Sequence, residues 1–205
     1  ILKEVDLILC EDTRVTKKLL DHYEIDTPTH SYNAHATDAK HEKIQSLIEE
    51  GKDIALVSDA GTPTISDPGV KLVELLQSEL PGKVTVVPVP GPSALTGALS
   101  ASGISTSEFV FLGFLPHKKG RQTLFTEIAE SKRTMVFYES VHRILKTLQS
   151  LSDVLDETRH VVVARELTKV HEQFLRGSAK EVLAFFEAHP DKMKGEFVVI
   201  VEGKQ

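Results

Sequence analysis

The stretch IALVSDAGTPTISDPG, residues 54–69, decides the fold class of this chain. It begins with the apolar run Ile54–Val57, which has the length of a buried strand, and it ends where an amphipathic run begins. Between the two runs, Gly61 and Gly69 allow positive φ angles and the close approach of a ligand. We interpret the stretch as a strand, a loop that presents backbone amides and Asp59 to a polar small molecule, and a helix. A plain turn-rich connection is the alternative.

The same alternation of short apolar runs and helix-sized amphipathic runs continues in both directions. Strands are predicted at 5–10, 29–32, 54–58, 84–88, 109–113, 134–138, 160–164 and 196–202, and helices at 14–23, 38–50, 70–79, 93–101, 121–131, 141–151 and 179–188. Such alternation is typical of an α/β fold, in which helices cover a parallel sheet. Pro116 and Gly120 bracket a basic turn, so we predict two α/β lobes with mainly parallel sheets, residues 1–114 and 115–205.

The composition is that of a soluble globular protein, with 40% hydrophobic and 26% charged residues in a chain of 205. The apolar runs are strand-sized and too short to cross a bilayer, and no secretory signal opens the sequence. Cys10, the one cysteine, excludes an internal disulfide and favours a reducing, cytoplasmic compartment. The nine histidines show no metal-binding spacing, so no metal is expected.

The charge is unevenly distributed along the chain. A net charge of −6 argues mildly against a nucleic-acid partner, because phosphates need local positive charge. Residues 117–147, however, hold seven Lys or Arg against three acids, a net +4, which leaves −10 on the remainder. The sequence therefore leaves two interpretations open, an RNA-facing surface or a set of solvated helix faces.

Three further segments place polar side chains after predicted strands, where open α/β sheets bind ligands. Residues 88–94 lead from a strand into a helix through a turn rich in small residues. Residues 134–143 bring a tyrosine, a carboxylate, an imidazole and a guanidinium close together, and residues 164–178 bring a second charged cluster. A helix cap, an internal ion pair and a surface ion-pair cluster are the respective structural alternatives.

Taken together, these motifs resemble the family of ribosomal RNA small subunit methyltransferase I. The resembling residues are 11–14 (EDTR), 58–63 with 67–69 (SDAGTP and DPG), 88–94 (PVPGPSA), 113–116 (GFLP), 137–140 with 142–143 (FYES and HR), 164–169 (ARELTK), 195–197 and 201–203. The resemblance implies a class III methyltransferase of tetrapyrrole-methylase fold. It also implies an enzyme that methylates the 2′-hydroxyl of a cytidine in 16S rRNA, usually as a homodimer.

The resemblance implies S-adenosylmethionine as the cofactor, held between the two lobes. The contacts that it implies are Asp59, Ala60, Gly61, Ile65, Ser93, Ala94, Tyr138, Glu139, Glu166, Leu167, Gly195, Glu196 and Phe197. The first four would meet the methionine and ribose ends. The residues from Glu166 onward would close over the adenine.

The chemistry asks for a group that removes the proton of the ribose hydroxyl, and for cations that neutralise RNA phosphates. We expect Glu139 to be that base, assisted by His142 or Lys169, with Asp59 and Glu11 as alternatives. The expected RNA contacts are Arg14, Lys118, Lys119, Arg121, Arg143 and Arg165.

The chain departs from the family pattern at its start, because the family opens with one more strand and loop before the position of Ile1. We therefore expect a fragment that lacks this strand and also a short extension after Gly203. Two rival functions stay open. One is a same-fold carbon methyltransferase acting on a tetrapyrrole or a modified histidine, and the other is a non-catalytic RNA-binding protein.

Overall fold

The computed structural model describes residues 1–205 and divides into two compact units, Ile1–Pro92 and Ser93–Gln205. This division lies earlier than the predicted boundary between residues 114 and 115. The reason is packing, because Ala98 and Leu99, in the helix before that boundary, share a buried core with Val136 and other residues of the later strands. That helix and the strand after it therefore belong to the second unit.

The first unit is a three-stranded parallel sheet with helices, as the alternating pattern predicts. Its elements are β1 (Leu7–Cys10), α1 (Thr13–His22), β2 (Thr29–Ser31), α2 (Asp38–Glu49), β3 (Ile54–Val57) and α3 (Val70–Glu79). The strand order is β2-β1-β3, and both pairings are parallel. Ile44 and Leu72 bring the apolar sides of α2 and α3 against Leu7 and Leu9 in one buried cluster. The carboxyl ends of β1 and β3 thus lie side by side.

The strand predicted at residues 84–88 does not form. Val84–Val89 pairs with no strand, and Val87 is 70% exposed. β-branched residues favour strands only where a neighbouring strand is present to pack and pair with them. Pro88 and Pro90 also lack the N–H groups that a sheet ladder needs.

The second unit is a five-stranded mixed sheet with helices. Its elements are α4 (Ala94–Ser102), β4 (Phe109–Phe114), α5 (Arg121–Glu130), β5 (Thr134–Ser140), α6 (Ile144–Val154), β6 (Val161–Arg165), β7 (Gln173–Gly177), α7 (Ala179–Ala188) and β8 (Glu196–Val201). A short 3₁₀ turn, Pro190–Lys192, precedes β8. No helix in either unit combines the length and the apolarity that a bilayer crossing demands.

The mainly parallel sheet that we predicted for both lobes is found in the first unit but not in the second. In the order β4-β5-β8-β6-β7, only β4 and β5 are parallel, and the other three pairings are antiparallel. Strand β7 was not predicted from the sequence. The connection between β6 and β7 is too short for a parallel crossover, so the two strands form an antiparallel pair.

The two faces of this second sheet carry different cores. On one face Met135, Phe137 and Phe197 pack with the buried sides of α5, α6 and α7. On the other face Val136 and Val198 pack with residues of α4, and the half-buried Tyr138 extends this core. Because successive side chains of a strand point to opposite faces, each strand end presents neighbouring residues to two different environments.

Candidate functional site

The carboxyl ends of β1 and β3 bring four carboxylates of the first unit together. We call Glu11, Asp12, Asp59 and Asp67 the acidic edge. Asp59 accepts a hydrogen bond from the backbone N–H of Asp12 at 3.2 Å, which ties the two strand ends together. Arg14 forms an ion pair with Asp12 at 2.6 Å, and hydrogen bonds from its side chain and backbone hold the pKa of Asp12 at about 2.

The other members of the acidic edge have no such counter-charge. Burial raises the pKa of Glu11, and the negative charges of Asp59, Asp67 and Asp12 raise it further. Burial likewise raises the pKa of Asp67, opposed by a hydrogen bond from Ser58 and reinforced by Asp59. No group of three or more carboxylate, imidazole or thiol side chains is arranged to hold a metal ion. The carboxylates of Glu11 and Asp67 concentrate negative charge at the acidic edge, which suits an organic cation.

The loop after β3 is ordered by its own polar groups. The Ser58 hydroxyl donates to the carbonyl of Ala60 at 3.1 Å, and the Thr62 hydroxyl donates to that of Pro92 at 3.0 Å. Thr64 and Ser66 hold positive φ angles of 73° and 63°, which L-residues rarely adopt. Strain of this kind persists only where the surroundings fix the backbone, and it concentrates at ligand-binding sites.

The predicted contacts in this loop lie on its surface. Asp59, Ala60 and Gly61 are exposed, and Ile65 is an exposed large apolar side chain. Gly61 has a φ of 73°, and a Cβ there would meet nothing closer than the Pro92 carbonyl oxygen, at 4.0 Å. The space above Gly61 is therefore open to a ligand.

In the second unit an aromatic cluster lies at the carboxyl ends of β4 and β5. The ring of Tyr138 makes edge contacts with Phe111 and Phe114, at centroid distances of 4.9 and 5.6 Å. Phe114 is 54% exposed although it ends a strand. Ser93 and Ala94 begin α4, whose residues pack on the same face of the sheet as Tyr138. No role is predicted for Phe114 from the sequence, although its position as an aromatic residue just before the basic turn is a signal for one.

A charged cluster closes the loop after β6. The Lys169 ammonium lies 2.9 Å from Glu166 and 3.1 Å from Glu196, and these hydrogen bonds raise its pKa. Glu166 also accepts from the backbone N–H of Glu196 at 3.0 Å. A Cβ on Gly195 would overlap the Glu166 side chain, so only glycine fits there. Lys169 is consequently a cation at neutral pH and a poor proton acceptor.

Of the other predicted contacts after β6, one lies on the face of the sheet that packs with α4 and one does not. Leu167 packs beside the core that contains α4, on the same face as Tyr138. Phe197 is 2% exposed and belongs to the core on the opposite face, with α5, α6 and α7. Its side chain therefore lies away from Tyr138, because residues of a strand alternate between faces.

Glu139, the predicted general base, is completely buried, with 0% of its side chain exposed. One carboxylate oxygen accepts from the Ser140 backbone N–H and lies 2.8 Å from Nε of Arg143. The other accepts from the Thr147 hydroxyl at 2.6 Å and lies 3.7 Å from a guanidinium nitrogen of Arg121. A general base has to reach a substrate hydroxyl, and this carboxylate does not.

The predicted RNA contacts separate into exposed and internal groups. Lys118 and Lys119 are exposed on the basic turn, residues 117–120. Arg165 is buried and donates to the carbonyls of Lys194 and His171. Arg121 and Arg143 are bound inside the protein as just described, so none of these three arginines is free to meet a phosphate. Arg14, the remaining predicted RNA contact of this kind, is on the surface in its ion pair with Asp12. His142, which is predicted to assist the base, is also exposed and lies before α6.

Comparison with known proteins gives consistent similarities. The family model described as tetrapyrrole (corrin/porphyrin) methylases matches residues 1–183. A protein of Synechocystis named ribosomal RNA small subunit methyltransferase I is 45% identical over 98% of this chain and 71% of its own length. The protein of that name from Thermotoga maritima is 45% identical over 100% of this chain and 89% of its own length, and the one from Escherichia coli O157:H7 is 45% identical over 99% and 70%.

Solved structures share the fold at low sequence identity. A cobalt precorrin-4 methyltransferase superposes with a TM-score of 0.67 at 18% identity, covering 98% of this chain and 85% of that one. A uroporphyrin-III C-methyltransferase from Thermus thermophilus, solved with S-adenosyl homocysteine, superposes with a TM-score of 0.63 at 17% identity, covering 98% and 87%.

Proposed function

The chain belongs to the tetrapyrrole methylase family, and we propose that it is an S-adenosylmethionine-dependent methyltransferase that acts on the 16S rRNA of the small ribosomal subunit. The observation that carries this proposal is the similarity, at 45% identity over 98–100% of this chain, to several relatives with one name, ribosomal RNA small subunit methyltransferase I. We further propose that the methyl group goes to the 2′-hydroxyl of a cytidine, and that the protein works in the cytoplasm as a homodimer.

The acidic edge fits this cofactor by charge. S-adenosylmethionine supplies an electrophilic methyl group on a sulfonium, and its methionine part also carries an ammonium and a carboxylate, which leaves the cofactor with a net positive charge. Glu11 and Asp67 have no cationic partner in the first unit. Burial, and to a smaller extent repulsion from neighbouring carboxylates, raises the pKa of each, and a bound cation would favour their ionised forms. We assign the cationic end of the cofactor to these carboxylates and to the loop from Asp59 to Ile65.

We assign contacts with the adenine and ribose to the second unit. The candidates there share the face of the sheet that packs with α4, or the loop closed by Lys169: Ser93, Ala94, Tyr138, Glu166, Leu167, Gly195 and Glu196. Tyr138 offers an aromatic ring and Leu167 an apolar side chain, which suit a planar base. Glu139 and Phe197 are not in this set, since their side chains lie in the opposite core.

Asp59 is the best remaining candidate for the group that accepts the hydroxyl proton. Glu139 is inaccessible and Lys169 is held as a cation, whereas Asp59 is exposed beside the open space at Gly61. Glu11 lies in the same acidic edge and supports the charge there. Positioning of the acceptor oxygen in line with the methyl group provides the larger share of the rate, so the base is a secondary contribution.

We assign the RNA phosphates to Lys118, Lys119 and Arg14. The two lysines lie on the basic turn, which follows the exposed Phe114 closely along the chain, and cations together with an aromatic ring are a combination that binds unstacked nucleotides. The acidic remainder of the surface would limit binding to this region, which accounts for an RNA partner despite a net charge of −6.

The role of Asp59 is tested by Asp59→Asn, with transfer of tritiated methyl from S-adenosylmethionine to small ribosomal subunits as the assay. We expect turnover at saturation to fall by about 10²–10⁴-fold, the usual contribution of a positioned base. Asparagine still accepts the Asp12 N–H bond, so the fold should be retained, and turnover is compared at saturating S-adenosylmethionine because the lost negative charge should weaken cofactor binding.

Asp26→Asn is the matched control, because Asp26 is an exposed aspartate of the same unit outside the acidic edge. It should leave turnover unchanged. Full turnover of Asp59→Asn would remove this residue from the catalytic assignment.

A further inference from the structure

A buried charged network joins three elements of the second unit to the start of the basic turn. Glu139 at the end of β5 is its centre, with Arg143 on one oxygen and Thr147 on the other. Arg121 donates to the Thr147 hydroxyl at 2.6 Å and lies 3.7 Å from the Glu139 carboxylate. Its guanidinium also lies over the ring of Phe125, at 5.0 Å.

Two hydrogen bonds connect the network to the backbone that leads into the basic turn, and they go to consecutive carbonyls. Arg143 donates to the Leu115 carbonyl at 2.7 Å, and Arg121 donates to the Pro116 carbonyl at 3.1 Å. Leu115 is also buried, at 2% exposure, in the core beneath α5 and α6. The chain is thus held by side chain and backbone at the two residues that lead into the basic turn.

The turn itself is short and is fixed again at its other end. Only residues 117–120 lie between Pro116 and the first residue of α5, and all four are exposed. That first residue is Arg121, which itself belongs to the network, and its backbone N–H bonds the carbonyl of Lys118 at 3.2 Å. The turn that carries Lys118 and Lys119 is therefore anchored on both sides by residues that take part in the network.

Stability alone gives a weak reason for such a network. Burying charges costs free energy, and apolar residues of similar volume often replace a buried ion pair without loss of stability. The core around these groups is otherwise apolar, with Phe125, Phe137 and Leu148 fully buried. What apolar residues could not supply is directional bonds to two successive carbonyls.

We propose that Glu139, Thr147, Arg121 and Arg143 are positioning residues that hold the basic turn in the orientation in which Lys118 and Lys119 receive RNA phosphates. The RNA part rests on the function proposed above, whereas the holding of the turn does not. Glu139 then contributes to activity through the substrate-binding turn and makes no contact with the reacting atoms.

The hydroxyl of Thr147 is the point at which the network can be opened with least disturbance. Thr147→Val removes the bridge between Arg121 and Glu139 and keeps the shape of the side chain, and Thr147→Ser restores the bridge. Thr126→Val is the matched control, since Thr126 is a helical threonine of α5 whose hydroxyl bonds only within its own helix.

Limited trypsin digestion of the whole chain measures how firmly the basic turn is held, because trypsin cleaves after Lys118 and Lys119. We expect cleavage there to rise about tenfold in Thr147→Val and to stay at the wild-type rate in Thr147→Ser and Thr126→Val. Wild-type cleavage in a folded Thr147→Val protein would overturn the proposal. If that variant does not fold, Arg121→Lys, which cannot bridge Pro116 and Thr147 at once, decides in the same way.

Affinity for small ribosomal subunits measures how opening the network affects RNA binding. We expect Thr147→Val to weaken binding about tenfold in the native background. Where Lys118 and Lys119 are both alanine, the same change should weaken binding less than about twofold, because the effects of mutations at coupled positions do not add. Affinity for S-adenosylmethionine should not change in either background. An equal loss in both backgrounds would mean a general softening of the unit and would contradict the proposal.

The two assays also separate this proposal from the proposed function. If the wild-type protein bound no small subunits, the proposed function and the RNA part would both fail. The trypsin result would still decide whether the network holds the turn.

Discussion

At the scale of one residue, Glu11 shows how the acidic edge lowers the stability of the first unit. Its pKa is raised by burial and by neighbouring carboxylates, so folding favours its protonated form. A group whose pKa is higher in the folded state stabilises the fold below its ordinary pKa, and that contribution is lost as the pH rises through the raised value. At neutral pH the ionised Glu11 therefore destabilises the first unit. This is expected of a cation-binding site without its ligand, because the negative charge is then uncompensated.

Glu11→Gln should remove this penalty, because glutamine carries no charge at any pH. We expect its melting temperature to equal that of the wild type at about pH 4 and to exceed it at about pH 7, measured without ligand. At pH 7 the same variant should bind S-adenosylmethionine more weakly, since a carboxylate facing the cation is gone. Glu42→Gln, an exposed position in α2, should show neither effect. A Glu11→Gln curve parallel to the wild type at all pH values would contradict this electrostatic account.

Gly61 allows the cofactor assignment to be tested against backbone strain. Gly61 and Gly82 have nearly equal φ angles, 73° and 74°, and neither has an atom closer than 4.0 Å to the position of an added Cβ. Alanine at either position should therefore cost about 1 kcal/mol of unfolding free energy. Only Gly61→Ala should also weaken S-adenosylmethionine binding, measured by calorimetry. Equal cofactor affinity in the two variants would remove the loop after β3 from the site.

At the scale of the element, β5 shows why one of its two predicted site residues is buried. The sequence motif Tyr138-Glu139 predicts one polar group, but Tyr138 and Glu139 lie on opposite faces of the strand. Strand alternation, applied from the apolar Met135 and Phe137, would have placed Glu139 in the same core. What the sequence could not reveal was the partner of that carboxylate, since Thr147 and Arg121 come from two other helices.

The same limit applies to the strands themselves. Most helices and strands lie within a few residues of their predicted positions, because amphipathic periods and caps such as Ser178 at α7 are local signals. Residues 84–88 look like a strand and have no partner, whereas β7 was missed and is stabilised by its pairing with β6. Pairing depends on residues distant in sequence, which no local pattern contains.

At the scale of the whole molecule, the fold and the proposed function rest on different evidence. The α/β fold follows from the alternating pattern and is confirmed by the structure and the family match, whereas the boundary between the two units lies earlier than predicted. The assignment to rRNA depends on relatives that are 45% identical, because the solved structures of this fold at 17–18% identity are named as methyltransferases of cobalt precorrin-4 and of uroporphyrin-III. Fold alone does not determine the substrate.

The most direct test of the account is the position of the methyl group on the product. Small ribosomal subunits lacking the modification would be incubated with this protein and S-adenosylmethionine labelled in the methyl group, and the 16S rRNA then hydrolysed in alkali. A 2′-O-methyl group removes the hydroxyl that attacks the neighbouring phosphate, so the label should appear in an alkali-resistant dinucleotide that yields 2′-O-methylcytidine. Label on a base, or subunits retained by the protein without any label, would contradict the account.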